Sequence, residues 1–217
     1  MYYPYIQQLT PPKRRVMTVT GISSLSLAPD TVQIRLEVST ENTELQKAQQ
    51  ENAQAMNQVI ESLLQLGIVR EDIQTASYTV FPQYDFVEGK QLLRGYEVTN
   101  AINVTMKAID QVGNVIDVAV QNGANRISNV QFTVEHEQLH YQQALSLALK
   151  DALAKAQTMA KTMQLPLDPT PINIVEEYKS EPVVAAPRMF AAAANNSTPI
   201  EQGQIMIRAT VNVQFQY

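Results

Sequence analysis

The feature that most constrains the fold of this chain is a strict alternation of apolar and polar residues between Thr31 and Thr40. Successive side chains of a strand point to opposite faces, so this alternation predicts a strand with one buried face and one solvated face. The same pattern returns in Gly95–Met106 and Ile205–Phe215. Half-polar strands are typical of antiparallel or mixed sheets, whereas doubly wound nucleotide-binding folds use continuously apolar strands and a glycine-rich first turn.

Three segments carry apolar residues at helical spacing instead, namely Thr43–Leu66, Asp110–Gln121 and Gln138–Met163. Each places these residues on one stripe, which predicts an amphipathic helix with one buried face. The third helix is rich in alanine, and small residues on a stripe allow close approach to a sheet or to another helix. Its predicted buried stripe consists of Leu145, Ala148, Leu149, Ala152, Leu153, Ala156, Met159, Ala160 and Met163.

Local signals predict where these elements begin, end and pair. Pro29-Asp30 is a turn signal, so we expect strands Val16–Leu27 and Thr31–Thr40 to form an antiparallel hairpin. Thr43 and Gln46 fit a capping box at the start of the first helix, and Gly67 fits its end. The remaining strands are Ile73–Tyr84, Ile127–Glu135 and Ile172–Tyr178. Glu88-Gly89 supplies a tight turn between Ile73–Tyr84 and Gly95–Met106, which predicts a long hairpin that reaches beyond the sheet.

The predicted element order is ββαββαβαββ, which indicates an α+β fold. We expect an antiparallel or mixed sheet with about three helices packed largely on one face. The chain has 217 residues, enough for one large domain or two small intertwined ones. Residues 1–15 read as a flexible N-terminal arm and 16–217 as the domain. Within it, residues 181–199 form an apolar, alanine- and proline-rich loop, which either folds over its own core or contacts another subunit.

The overall composition excludes several classes of function. The formal net charge of −5 gives little electrostatic help in binding nucleic acid or anionic lipid, so we expect no nucleic-acid partner. The absence of cysteine excludes disulfides, thiol catalysis and cysteine-based metal sites. No apolar run is long enough to span a membrane. Met1–Thr10 does not read as a secretory signal, so the sequence as written predicts a cytoplasmic protein, with export as the alternative.

The sharpest chemical motif is His136-Glu137-Gln138-Leu139-His140, which has the letters of the HExxH zinc-protease signature. That chemistry needs two imidazoles one helical turn apart on one face, with the glutamate polarising a metal-bound water. Here the motif falls where a strand gives way to a helix, so His136 and His140 are not expected to share a face. Two solvent-facing histidines at a helix start are therefore the favoured interpretation, and a metal-dependent hydrolase is the alternative.

No other constellation suggests catalysis. Glu176 and Glu177 are adjacent on a strand and point to opposite faces, so they do not form an acid–base pair. The serines lack the context of a nucleophile elbow, and no phosphate-binding glycine motif occurs. We therefore predict a protein that is not an enzyme, with no catalytic, cofactor-binding or metal-ligating residues and no cofactor.

Several short segments, taken in order, resemble the SIMPL-domain family. They are Val19-Thr20-Gly21 with Ala28-Pro29-Asp30, Gly67-Ile68 with Asp72-Ile73-Gln74-Thr75, Pro82 and Tyr84 with Gly95-Tyr96, Gly123-Ala124-Asn125 before Ile127 and Phe132, Ala144-Leu145 with Ala148, Ala152 and Lys155-Ala156, and Pro199-Ile200 with Gly203. No single motif is specific, but their order and spacing together are, and the resemblance runs from Val16 to Phe215.

The resemblance implies an α+β fold, no catalytic residues known in the family, and assembly of at least some members into large ring-shaped oligomers. It also implies a link to oxidative-stress defence or to the cell envelope. We therefore expect a non-enzymatic, self-assembling bacterial protein whose partner is a second copy of itself. A module that binds another partner or a ligand through the hairpin Tyr84–Leu93 or the N-terminal arm is the remaining alternative, and the sequence names no such partner.

Overall fold

The structure is a computed structural model that describes residues 15–177, 183–184 and 198–217. Its α-helices and strands are β1 (Val16–Leu27), β2 (Thr31–Asn42), α1 (Leu45–Gln65), β3 (Ile73–Val87), β4 (Lys90–Met106), α2 (Val112–Gln121), β5 (Arg126–Thr133), α3 (Glu137–Met163), β6 (Pro171–Glu176), β7 (Val183–Val184) and β8 (Ile205–Gln216). The predicted N-terminal arm, except Arg15, and most of the loop 181–199 lie outside the described residues. The α+β class and the element order are confirmed, with the short β7 as an addition.

The strands form two sheets rather than one. The central sheet has the order β3-β4-β2-β5, and the terminal sheet has the order β1-β8-β6, with β7 also paired to β8. The described residues divide into a terminal unit (15–26, 136–177, 183 and 206–217) and a central unit (27–135, 184 and 198–205). The single domain over 16–217 and the alternative of two small intertwined domains both stay predictions.

The predicted hairpin between β1 and β2 is wrong, because the two strands lie in different sheets. Both edges of β2 are occupied, one by β4 and the other by β5. The turn at Asp30 is held by the end of β5. Its backbone N–H donates to the carbonyl of Thr133 over 3.1 Å, and its carboxylate accepts from the backbone N–H of Glu135 over 2.8 Å.

The central unit is built on the alternation that opened the sequence. Val32, Ile34 and Leu36 of β2 are fully buried, and they pair across the ladder with equally apolar positions of β4, such as Ile34 with Val104. Helices α1 and α2 cover this face and complete one hydrophobic cluster. The stripe predicted for α2 is confirmed, since Val112, Val115, Ile116 and Ala119 are all buried.

The sequence predicted the end of α1 correctly but not its beginning. The capping box is wrong: the N-cap residue is Glu44, without a side-chain cap, and its N–H instead donates to the side-chain oxygen of Asn42 over 3.1 Å. At the other end Gly67 has a φ of 87°, a left-handed conformation that glycine adopts without a steric penalty. The N–H of Ile68 reaches the carbonyl of Leu63, which is the hydrogen bond of a Schellman motif.

A buried amide joins α1 to the central sheet. Asn52 is completely buried on the face of the helix that the sequence assigned to apolar residues. Its Nδ2 donates to the carbonyl oxygen of Val38 over 2.8 Å and to that of Val98 over 2.9 Å. The Asn52 side chain thus joins α1 to both β2 and β4 and fixes the position of the helix along the two strands.

The packing of α3 in the terminal unit depends on small residues. Ala144, Ala148, Ala152, Ala156 and Ala160 of α3 recur every fourth position and are all buried. The six inward positions predicted for β8 are buried as well, which confirms its orientation. The predicted stripe of α3 is wrong at its end, because Met159 and Met163 are exposed. The leucines that follow the alanines lie on the flank of the helix and are half-buried.

Gly21 on β1 shows how closely α3 approaches the terminal sheet. A Cβ atom at this position would lie 2.0 Å from the carbonyl oxygen of Ala148 and 2.8 Å from the Cβ of Ala152. On either side, Asp151 accepts from the N–H of Ile22 and Lys155 donates to the carbonyl of Thr20. The glycine is therefore required for space rather than for an unusual backbone angle.

We expect Gly21→Ala to destabilise the protein by at least about 2 kcal/mol, because the helix backbone must move to admit one methyl group. Urea denaturation followed by circular dichroism measures this change. Thr18→Val on the exposed face of the same strand is the matched control and should change stability little. An alanine variant as stable as the wild type would contradict the close approach.

We expect Asn52→Ala to lower the free energy of unfolding by about 2–4 kcal/mol, because two hydrogen bonds are lost and two carbonyl groups lose a donor inside the core. Asn57 lies on the exposed side of the same helix, so Asn57→Ala separates the loss of the bridge from the general effect of replacing asparagine in a helix. Equal stability of the two variants would show that the buried amide does not bridge the strands.

Candidate functional site

The predicted long hairpin between β3 and β4 is confirmed, and we consider its outer part as the candidate functional site. Tyr84 pairs with Leu93 and Val87 with Lys90, and the turn between them has φ values of 50° at Glu88 and 77° at Gly89. Two consecutive positive φ angles are typical of a type I′ turn, whose twist suits a two-residue hairpin. We call residues Tyr84–Leu93 the distal hairpin.

The distal hairpin extends past its neighbours. Strand β2 ends at Asn42, which pairs with Tyr96 of β4, and β3 is the outermost strand of the central sheet. The two strands of the distal hairpin therefore pair only with each other among the described strands. Both outer backbone edges of this ribbon carry N–H and C=O groups that no described strand satisfies.

The aromatic side chains of the distal hairpin lie on one face, whereas the opposite face combines charged residues with the apolar Val87 and Leu92. Tyr84, Phe86 and Leu93 share one face, and 44%, 77% and 52% of their surfaces are exposed. The alternation along β3 places this face on the same side as Val80, whose partner Val98 is buried under α1. The apolar side of the sheet thus continues beyond the helix that covers it.

The charges of the distal hairpin are divided between its strands. Asp85 lies on β3 and Glu88 in the turn that follows it, whereas Lys90 lies on β4 and Arg94 follows the distal hairpin on the same strand. Arg94 makes an ion pair with Glu41 at its base over 2.8 Å and approaches Asp85 at 4.0 Å. One edge of the ribbon is consequently acidic and the other basic.

The base of the hairpin is fixed to the sheet by packing and hydrogen bonds. Gly95 passes so close to β2 that a Cβ atom would lie 2.6 Å from the carbonyl oxygen of Asn42. Next to it, the carboxylate of Glu97 accepts hydrogen bonds from Ser39, Gln83 and Arg126 over 2.6–2.8 Å. The bond from Ser39, followed by the hydrogen bond and charge of Arg126, holds the pKa of Glu97 below its ordinary value of 4.5, against the opposing effect of desolvation.

The structure places the two histidines of HEQLH differently: His136 is exposed and His140 is half-buried, so the prediction of two solvent-facing histidines is correct only for His136. Strand β5 ends at Thr133, His136 is the N-cap of α3 with a φ of −111° and a ψ of 49°, and the helix begins at Glu137. Only His140 of the two histidines therefore lies within the helix. Among the residues that the structure describes, no three His, Cys, Asp or Glu side chains are grouped so that they could hold a metal ion.

A cleft of about 320 Å³ opens in the central unit between the end of α1, the end of β4 and α2. Its charged lining residues are Asp72 and Lys107, and the ammonium of Lys107 donates to the carboxylate of Glu135 over 2.8 Å. That hydrogen bond, with the charge of Glu135, raises the pKa of Lys107 above its ordinary value. Its cation is therefore engaged by a neighbouring carboxylate and is not poised for proton transfer.

Sequence reasoning found the hairpin but missed two of its properties. The division of charge is visible in DFVEGKQLLR, where both acids precede the glycine and both bases follow it. The extra residue Arg94, which shifts the register between Gln83 and Tyr84, left no such signal. The loop 181–199 cannot be compared in full, because most of it lies outside the described residues.

The depressed pKa of Glu97 gives a pH-dependent prediction. A carboxyl whose pKa is lower in the folded state stabilises that state above its unfolded pKa, and this contribution is lost as the pH falls through the folded pKa. We therefore expect Glu97→Gln to be less stable than the wild type at neutral pH and the difference to shrink below about pH 4. Urea unfolding at several pH values checks this, with exposed Glu61→Gln as the control. A difference independent of pH would contradict it.

The sequence of this chain is similar to those of several known proteins. The family model described as "SIMPL: Protein of unknown function (DUF541)" matches residues 17–215. The 26 kDa periplasmic immunogenic protein of Brucella melitensis is 28% identical over 223 residues, covering 97% of this chain and 87% of the relative. The "Uncharacterized protein YggE" of Escherichia coli K12 is 26% identical over 203 residues, covering 92% and 82%.

The comparisons also bear on the compartment. The name of the Brucella relative places that protein in the periplasm, so the comparisons do not support the predicted cytoplasmic location. None of the helices in the described part of the chain combines the length and hydropathy needed to cross a membrane. Because the family model covers nearly every residue from the first strand to the last, this chain belongs to the SIMPL family.

Proposed function

We propose that this chain is a non-enzymatic protein that assembles with copies of itself into a closed, ring-shaped oligomer. The observation that carries the proposal is the distal hairpin, in which Tyr84, Phe86 and Leu93 are exposed on one face, Phe86 most of all. An isolated two-stranded ribbon is marginally stable in water. Association that removes these side chains from water stabilises both the ribbon and the complex.

Exposed apolar side chains in the terminal unit also support self-association. Strand β6 exposes Ile172, Ile174 and Val175, and α3 exposes Met159 and Met163 at its end. Exposed apolar groups are candidates for subunit contacts when they are clustered. A ring requires that each subunit contact two neighbours, and apolar groups in both units are available for such contacts.

The site chemistry supports a role without catalysis. The carboxylates near the distal hairpin are engaged by structural partners, Glu97 by Ser39 and Arg126 and Glu41 by Arg94. The HEQLH segment supplies one helical histidine rather than two. We accordingly assign no catalytic residue and no cofactor.

We place the protein in the bacterial envelope, by analogy with the Brucella relative that is named as periplasmic. A part in oxidative-stress defence rests on the family resemblance alone. Fractionation of the native host and peroxide survival of a deletion strain test these two points separately.

The native mass in solution tests the assembly directly. Size exclusion with light scattering at tens of micromolar protein should give one discrete mass several times that of the 24.2 kDa chain. Zinc measured on the same peak tests the alternative hydrolase. A monomer would refute self-assembly, and a monomer with one zinc per chain would direct attention to HEQLH.

We expect the double variant Tyr84→Ser/Phe86→Ser to lose the oligomer and run as a smaller species, because it removes the largest apolar side chains of the distal hairpin. Circular dichroism should stay unchanged, since both residues lie outside the core. Val69→Ser removes an equally exposed apolar side chain elsewhere in the central unit and should leave the mass unaltered. An unchanged mass in the double variant would move the contact away from the hairpin.

A further inference from the structure

We infer that the distal hairpins of neighbouring copies pair edge to edge and head to tail, so that the β3 edge of one copy adds to the β4 edge of the next. The inference rests on the proposed self-assembly and specifies its contact. Three properties of the ribbon support it: two unpaired backbone edges, charges of opposite sign on its two strands, and exposed aromatic side chains on one face.

The unpaired edges make the ribbon a template for another strand. Among the described strands, nothing pairs with the outer side of β3 at Tyr84–Val87 or with the outer side of β4 at Lys90–Leu93. An added strand satisfies such an edge through main-chain hydrogen bonds, and the alternating side chains give specificity. A second copy of this chain carries both kinds of edge and can therefore satisfy each in turn.

The strand directions fit this arrangement. Strands β3 and β4 are antiparallel within one hairpin. When two hairpins lie side by side with both turns pointing the same way, β3 of one is also antiparallel to β4 of the next. Every pair in the resulting sheet then has the same orientation, and the contact can repeat from copy to copy. Contacts between two different surfaces of the same chain produce rings when the rotation closes.

The charges select the head-to-tail arrangement over a symmetric one. Pairing β3 with β4 of the next copy brings the side with Asp85 and Glu88 next to the side with Lys90, while Arg94 at the base of the ribbon already pairs with Glu41 of its own chain. Pairing β3 with β3 would place Asp85 and Glu88 beside the same acids of the other copy, and like charges directly opposite each other destabilise a sheet. Neither Glu88 nor Lys90 makes an ion pair within the described residues, so both are free for such a contact.

The exposed apolar side chains explain why paired ribbons would stay associated. Tyr84, Phe86 and Leu93 lie on one side of each ribbon. Ribbons that join edge to edge with the same orientation place these side chains on one side of the common sheet. Side chains on the same side of neighbouring strands contact each other across the sheet, which removes part of their apolar surface from water.

Cysteine cross-linking tests the pairing, and the natural absence of cysteine means that every disulfide formed is introduced. One copy carries Asp85→Cys and a differently tagged copy carries Lys90→Cys or, for the other possible offset, Leu92→Cys. The two are co-expressed and oxidised. Because each copy has a single thiol, all disulfides join two copies, and they form only when the Cα atoms lie within about 7 Å.

We expect disulfide dimers that contain both tags, far exceeding the dimers formed by either variant alone or by Asp85→Cys with a cysteine at exposed Glu61. Predominant Asp85→Cys homodimers would show symmetric pairing and overturn the inference. An oligomer of wild-type mass without hairpin disulfides would overturn it while the proposed self-assembly stands. A wild-type monomer would refute both.

Charge reversal gives an independent measurement of the same contact. Lys90→Glu should weaken assembly and lower the native mass at a given concentration, because it sets acid against acid between copies. Adding Asp85→Lys to that variant exchanges the charges of the two edges and should restore the mass. Failure of the second change to restore what the first removes would contradict the pairing of opposite edges.

Discussion

The position of β2 in the middle of the central sheet is the constraint on which the rest of the central unit depends. One face of this strand supplies the fully buried side chains under α1 and α2. Its opposite face carries Arg35 and Glu37, which form an ion pair over 2.8 Å. Its end at Asn42 determines where the hairpin of β3 and β4 loses its neighbour. A strand a few residues longer would have covered the edge that we assign to assembly.

Two different devices fix helices to sheets in this chain. In the central unit a polar group does so, because Asn52 binds two strands at once with its amide. In the terminal unit the small size of Gly21 and of the α3 alanines does so, because it lets the backbones of the helix and of the sheet approach each other closely. The first device specifies a register through hydrogen bonds, and the second specifies a distance through sterics. Neither requires a bulky core.

The sequence predicted best where a local rule decides the structure. The alternation in β2 and β8, the glycine end of α1 and the tight turn at Glu88-Gly89 each follow from backbone geometry or from a period, and all were correct. It failed where distant residues compete. Pro29-Asp30 signals a turn, but only the end of β5, over 100 residues away, determines that the turn does not close a hairpin. The burial of Asn52 likewise depends on two carbonyl groups that no helical period reveals.

The local character of the hairpin has a consequence for the order in which the chain folds. Its contacts join residues only a few positions apart, and hairpins of this kind form within about 1–10 μs. The terminal sheet instead joins β1 to β8, for example through Thr20 and Asn212, which are 192 positions apart. During synthesis the hairpin can therefore be complete long before the two chain ends have met. A nascent chain would therefore expose Phe86 and its neighbours before the terminal sheet can form, and exposed apolar side chains on such incomplete chains favour aggregation.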